Sequence, residues 1–244
     1  MATNSTSSFC FYGPVFLEHP RKVPKQPKTI VFNATISLPG IDSTVHGELR
    51  LYNGSDKIFG DHILMFASGT LAAPLANTEV FGDRSTIDFV GDIKMFTDAG
   101  DPEFIDFNFN QPIQVHMCGP VSASNKSNGF FTVEGEQYVM AWTDRNVNPK
   151  PTFSCEGNMM TPRYPNDKTR PMPFVRKFVG VSGTLTRIRR DVAIGSDIAQ
   201  VRTFCIDVDD IAFLGTHVLT ASAAPSTPLP AAGKFSSLLI AFLD

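Results

Sequence analysis

Apolar and polar residues alternate in short runs along most of this chain, and the runs stop at glycine, proline or asparagine. Ile30, Phe32, Ala34 and Ile36 alternate with polar neighbours until Pro39 and Gly40, which is the two-residue period of a half-buried strand. Residues 45–52 supply a hairpin partner, followed by the turn dipeptide Asn53-Gly54, in which both residues tolerate positive φ. Residues 62–71 and 85–96 predict two further strands. A second series opens at 112–119, continues through 130–133 and 137–142 as a hairpin, and closes with 174–188 and 201–213. Within it, residues 144–173 are rich in Pro, Asn and basic side chains and have no regular apolar period, so they read as a long insertion.

One strand signature occurs twice. Phe66-Ala67-Ser68-Gly69-Thr70-Leu71 precedes a closing run that includes Phe89, Val90, Ile93 and Phe96, and Gly180-Val181-Ser182-Gly183-Thr184-Leu185 precedes one that includes Phe204, Ile206, Val208 and Phe213. Self-similarity of this kind predicts two copies of one β-unit, because each copy has to solve the same burial problem. The expected organisation is an extended leader at 1–27, a first β-barrel at 28–98, a second at 112–215 carrying the basic insertion, and a Pro-rich linker with an apolar tail at 216–244. The leader is assigned from Pro14, Pro20, Pro24 and Pro27 set among Arg21, Lys22, Lys25 and Lys28.

Length and composition agree with two units. The 244 residues suit two domains of about 100 residues. The 21 Phe residues against 4 Tyr and 1 Trp indicate cores filled by aromatic burial. Eighteen Gly and eighteen Pro disfavour long helices, so the fold class is mainly β with short helical content at most. Five strands with a long excursion between the third and fourth is the arrangement of an OB-fold, and strand counting leaves a sandwich open as the alternative. The runs 181–185 and 204–215 are also similar to a group of uncharacterised OB-like β-barrel proteins of mushroom-forming fungi. That resemblance covers 112–215 and extends to 28–98, where Gly91 and Lys94 depart from the pattern; it implies a fold and no mechanism.

Charge is where function shows. Ten basic residues lie between 145 and 190, opposed only by Glu156 and Asp167, so the segment carries +8 in a chain of net −3 and the rest carries −11. Arg163, Lys168, Arg170, Arg176, Lys177, Arg187, Arg189 and Arg190, interleaved with Phe153, Tyr164, Phe174 and Phe178 and joined by Trp142, are candidates for a single-strand groove. Such a groove needs cations that follow phosphates and flat rings on which bases stack. On a strand Arg187 and Arg189 share a face while Arg190 takes the other. The same residues also fit a solvated basic loop that pairs with the acidic first copy, within the chain or between copies. Tyr138, Met140 and Trp142 alternate with Val139 and Ala141, so an aromatic face for a base or a sugar is available if the small residues point inward.

Other chemistry finds little support. Asp207 and Asp209 share a strand face but make two ligands at most, and the five histidines are dispersed, so no metal and no cofactor is expected. Ser182 lacks the Gly-x-Ser-x-Gly register of a nucleophile elbow, and Ser68 repeats its setting, so no enzyme is expected. Cys10, Cys118, Cys155 and Cys205 are scattered without a CxxC pair and read as free thiols. Four Asn-x-Ser/Thr sequons, at Asn4, Asn33, Asn53 and Asn125, matter only in a secreted chain. With no secretory signal and no apolar run of the roughly 18–20 residues a bilayer requires, the expectation is a soluble intracellular protein, nuclear or cytoplasmic, with no membrane association. The function expected is a non-enzymatic binding module for single-stranded DNA or RNA. The alternatives are a protein-interaction or self-assembly scaffold that uses the acidic first barrel and the C-terminal tail, as a homo-oligomer or with a protein partner, and a carbohydrate-binding module.

Overall fold

Ten strands make up the computed structural model, which describes residues 7–24, 26–40, 43–74, 78–101, 111–141, 152–192 and 199–216. They are β1 (Ser8–Val23), β2 (Gln26–Ser37), β3 (Thr44–Tyr52), β4 (His62–Ala72), β5 (Phe89–Gly100), β6 (Gln114–Asn125), β7 (Phe130–Glu136), β8 (Thr152–Asn158), β9 (Lys177–Val192) and β10 (Ala199–Thr216). No helix occurs among the described residues. These residues belong to a compact unit spanning Asn4–His217. The tail expected at 216–244 lies outside them, apart from Thr216.

Hydrogen bonding closes the strands into two rings. β1, β2, β3, β5 and β4 pair in that order and β4 returns to β1; β6, β7, β8, β10 and β9 do the same, with β9 returning to β6. In each ring the third and fifth strands run parallel and the other neighbours antiparallel. This is a five-stranded Greek-key barrel of the OB type. The rings share an edge, because Ser8 to Tyr12 of β1 pair antiparallel with Cys118 to Gln114 of β6.

The Ser-Gly-Thr-Leu signature has a steric cause. A Cβ on Gly69 would lie 1.9 Å from the Asp92 carbonyl oxygen, and one on Gly183 would lie 2.2 Å from that of Asp207. Thr70 pairs with Asp92 and Thr184 with Asp207, so both glycines occupy the same point, where the closing strand passes over its neighbour. Only a residue without a side chain allows that approach.

Three expectations are corrected. Residues 8–23 are a strand and not a leader. Alternation there is genuine, with Phe9, Phe11, Val15 and Leu17 buried, but the prolines mask it. β6 pairs with residues 8–12 and β2 with residues 16–23, so Pro14 falls where that edge of β1 has no partner. Gly13 beside it has φ +147°. Pro20 sits in the bulge between Glu18 and Arg21, where His19 takes φ 52°. A residue without an N–H is tolerated at both places. Second, residues 144–173 are not all insertion, since β8 lies within them; Phe153 and Cys155 are its only inward apolar side chains, too few to register as a period. Third, the hairpin partner of β7 is β6, and residues 137–141 are no strand.

Instead, residues 137–141 leave the second barrel and pack on the first. Val139 and Ala141 are buried with Ala72, Ile87 and Val90. The Met140 amide donates to both carboxylate oxygens of Asp92, at 2.9 and 3.1 Å. In the opposite direction, Phe9 of β1 enters the second barrel's core, its ring 5.3 Å from Phe153 and 4.7 Å from Phe204. Its amide donates to Gln137 Oε1 at 2.7 Å.

Gly69→Ala and Gly183→Ala should each lower unfolding free energy by about 2–3 kcal/mol through overpacking against backbone. Gly82→Ala, whose Cβ would meet nothing nearer than 3.6 Å, should stay within about 0.5 kcal/mol. Urea titrations of the three variants check both outcomes.

Candidate nucleic-acid interface

An OB barrel presents the outer face of its second and third strands to a ligand. In the first barrel this face is covered. Val45, Leu49 and Leu51 of β3 point to the core, so Glu48 and Arg50 project outward, yet both are buried. Glu48 accepts the Phe81 and Gly82 amides at 2.7 and 2.8 Å. Arg50 donates to the Glu79 carbonyl and carboxylate, both at 3.0 Å, and to the Met140 carbonyl at 3.4 Å. The β4–β5 connection and the 137–141 strap therefore occupy the place of a ligand. A cleft of about 230 Å³ lined by Glu18, Asn33, Thr35, His46, Glu48 and Thr86 remains beside them. It is below the ~300 Å³ at which small-molecule pockets begin.

In the second barrel the equivalent face has no such cover among the described residues. Phe153 and Cys155 point inward, which leaves Ser154, Glu156 and Asn158 of β8 beside Phe130, Thr132 and Glu134 of β7. Arg187 and Arg189 share an outward face, as the strand period requires, and reach across β10 from β9 to Glu156 of β8 at 3.7 and 3.3 Å. The Arg187 side chain is 61% and that of Arg189 43% exposed, so these ion pairs hold them weakly.

The basic segment divides into three. Arg187 and Arg189 lie at one end of the 16-residue strand β9, and Lys177 at the other. Arg163, Lys168 and Arg176 stand exposed on the β8–β9 connection. Phe174 is 75% exposed there, with Met160 and Val175 also exposed. The remaining candidates are structural. Arg170 is only 9% exposed; it donates to the Tyr164 carbonyl at 3.4 Å and lies beneath the β6–β7 turn at Gly129. Phe178 is 8% exposed and offers no ring to a base. Tyr164 packs on the core and its hydroxyl donates to the Asp209 carbonyl at 3.2 Å. Arg190 turns to the opposite face and reaches the first barrel, where its Nε donates to Asp88 Oδ1 at 2.6 Å. That pair is the intrachain charge pairing left open above, and a separation of 102 positions hides it from the sequence. Trp142 lies outside the described residues; Val139 and Ala141 do point inward and Tyr138 is exposed.

Asp207 is held by Asn158, whose amide donates at 2.8 Å. No group of three His, Cys, Asp or Glu among the described residues is placed to hold a metal ion. No helix of the described residues is long and apolar enough to cross a membrane.

No family model and no curated protein matches the chain. Among solved structures it is similar to a deletion mutant of the single-stranded DNA binding protein from Thermus aquaticus. The identity is 10%, the TM-score 0.44, and the match covers 93% of this chain and all of that one. The wild-type form of that protein is similar at 11% identity and TM-score 0.40, covering 89% of this chain and 99% of that one.

The strap has a pH signature. Burial raises the pKa of the Asp92 carboxyl, opposed by the Met140 amide, Lys94 and Arg50. The folded state therefore binds its proton more tightly than the unfolded chain, so Asp92 makes stability fall as pH rises from the ordinary carboxylate range through its folded pKa. Asp92→Asn removes this contribution. Urea midpoints measured between about pH 4 and pH 7 should decline less steeply in the variant than in the wild type.

Proposed function

We propose that the second barrel binds single-stranded nucleic acid, entering over the β8–β9 connection and continuing along the open face past Arg187 and Arg189. The observation that carries this reading is the exposed Phe174 ring on a connection whose exposed cations are Arg163, Lys168 and Arg176. A ring left in water at a cost in apolar hydration, two positions from Arg176 in the chain, suits a strand whose bases stack while its phosphates pair. The first barrel has no equivalent role, because its own chain covers the corresponding face; it anchors the second. The binding is sequence-tolerant, since every base offers a π-face.

Fluorescence anisotropy of labelled DNA and RNA of about 15 nucleotides tests the reading. With three phosphate contacts, affinity should fall about 20-fold between about 50 and 200 mM salt. Phe174→Ala should cost about 1–3 kcal/mol. Replacing Arg163, Lys168 and Arg176 by Ala should flatten the salt dependence. Absence of binding at low salt would overturn the proposal.

A second reading, a protein-interaction scaffold, draws on the outward face of the sheet that joins the barrels. Met95, Ser68, Tyr12 and Gln114 fall on one row across β5, β4, β1 and β6, and Met95 and Tyr12 are strongly exposed. Tyr12→Ser with Met95→Ser should convert any larger species seen by light scattering to monomer.

A further inference from the structure

The same outward face carries an unassigned cluster of reactive groups. Val115 and Met117 of β6 point into the core, so His116 and Cys118 point out, at alternate positions of one strand. His116 Nε2 lies 3.5 Å from Cys118 Sγ, and His116 Nδ1 lies 3.0 Å from Ser182 Oγ on the adjoining β9. In the tautomer with Nδ1–H donating to the Ser182 hydroxyl, Nε2 is the acceptor for the thiol proton, and thiol activation by His116 uses this tautomer. The thiol, the base and the group that orients the base are thus arranged as in an activated nucleophile. Cys118 is half-buried and within reach of solvent, and His116 is exposed.

We propose that Cys118 is a site of covalent thiol modification, which takes a small-molecule disulfide and becomes a mixed disulfide with His116 as the proton acceptor. The thiol proton passes to His116 Nε2, and the Cys118 thiolate attacks one sulfur of the reagent. A new S–S bond forms as the old one breaks, and the departing thiolate takes the proton back from the imidazolium. One disulfide is exchanged for another, and no further oxidant takes part.

The other three cysteines are poorer nucleophiles. Cys155 is fully buried and its thiol pKa is pushed well up, and burial also raises Cys205 and Cys10. Cys10 is opposite His116 and Cys118 opposite Ser8, so the two outer thiols stand on a diagonal. Diagonal Cα atoms lie about 7–8 Å apart, beyond the ~7 Å that a disulfide spans, so an adduct on Cys118 is not displaced by its neighbour. The other titratable groups around the cluster are Lys94 near Cys10 and Asp210, which pairs with Ser182 on β10.

The experiment uses the full chain. Iodoacetamide alkylation, mapped by peptide mass spectrometry, should modify Cys118 at least about tenfold faster than the other three cysteines near pH 7. His116→Gln should slow Cys118 about tenfold near pH 7 and leave it unchanged near pH 9.5, in a medium basic enough that alkylation of a thiol needs no neighbouring base. Continued protection of Cys155 reports that the variant is folded; if protection is lost, Ser182→Ala replaces it and should slow Cys118 about threefold. Oxidised glutathione should then place one glutathione on Cys118. Equal reactivity of Cys118 and Cys10, no effect of the folded variant, or no glutathione adduct would each overturn the proposal.

Discussion

The structure depends on one strand belonging to two barrels. β1 pairs with β4 of the first barrel from Cys10 onward, where Val15 and Leu17 are buried, while its start pairs with β6 and sends Phe9 against Phe153 and Phe204 of the second. A large aromatic ring in a closed core is worth about 3–5 kcal/mol against truncation. Here that energy holds two barrels in register as well as filling one. The exchange is returned by residues 137–141, which leave the second barrel to cover Asp92 and Arg50 of the first. Neither barrel can be lifted away without opening the core or the polar cover of the other.

This interlock sets what the surface can do. Covering the first barrel's outer strand face pairs Arg50 Nη2 and Glu48 Oε1 with backbone and carboxylate groups that a ligand cannot displace without leaving charges unpaired. Among the described residues nothing covers the second barrel's face in that way, and its cations are shared between an exposed connection and Glu156. A chain with two similar barrels therefore has an asymmetric surface, with one barrel serving as the support and the other as the open side.

The strands were legible where alternation ran for four or more positions without a proline, as at Ile30 to Ile36 or Phe204 to Val208, because a period of two reports burial on one side directly. β8 was not, since Phe153 and Cys155 are followed by Gly157, where a Cβ would lie 2.6 Å from the Phe131 ring. A glycine required for close packing carries no hydrophobic signal. The site was legible as a composition and not as a geometry. The count of cations was correct, but Arg170, Arg190 and Phe178 are drawn out of it by burial or by a partner far away in the chain.

What this amino-acid order determined by itself is a mainly β chain with a repeated Gly-Thr-Leu strand, an aromatic core and a basic segment. All of these are local patterns that follow from the two-residue period of a strand and from charge counting. Tertiary structure alone decided that Pro14 and Pro20 belong to a strand, that Arg190 faces Asp88, that residues 137–141 close the first barrel, and that His116 meets both Cys118 and Ser182. The Arg190–Asp88, His116–Ser182 and 137–141 contacts each join positions far apart in the chain, and the two prolines are tolerated because of which strands flank β1. Partner strands are chosen by burial of the whole sheet, which no local period records.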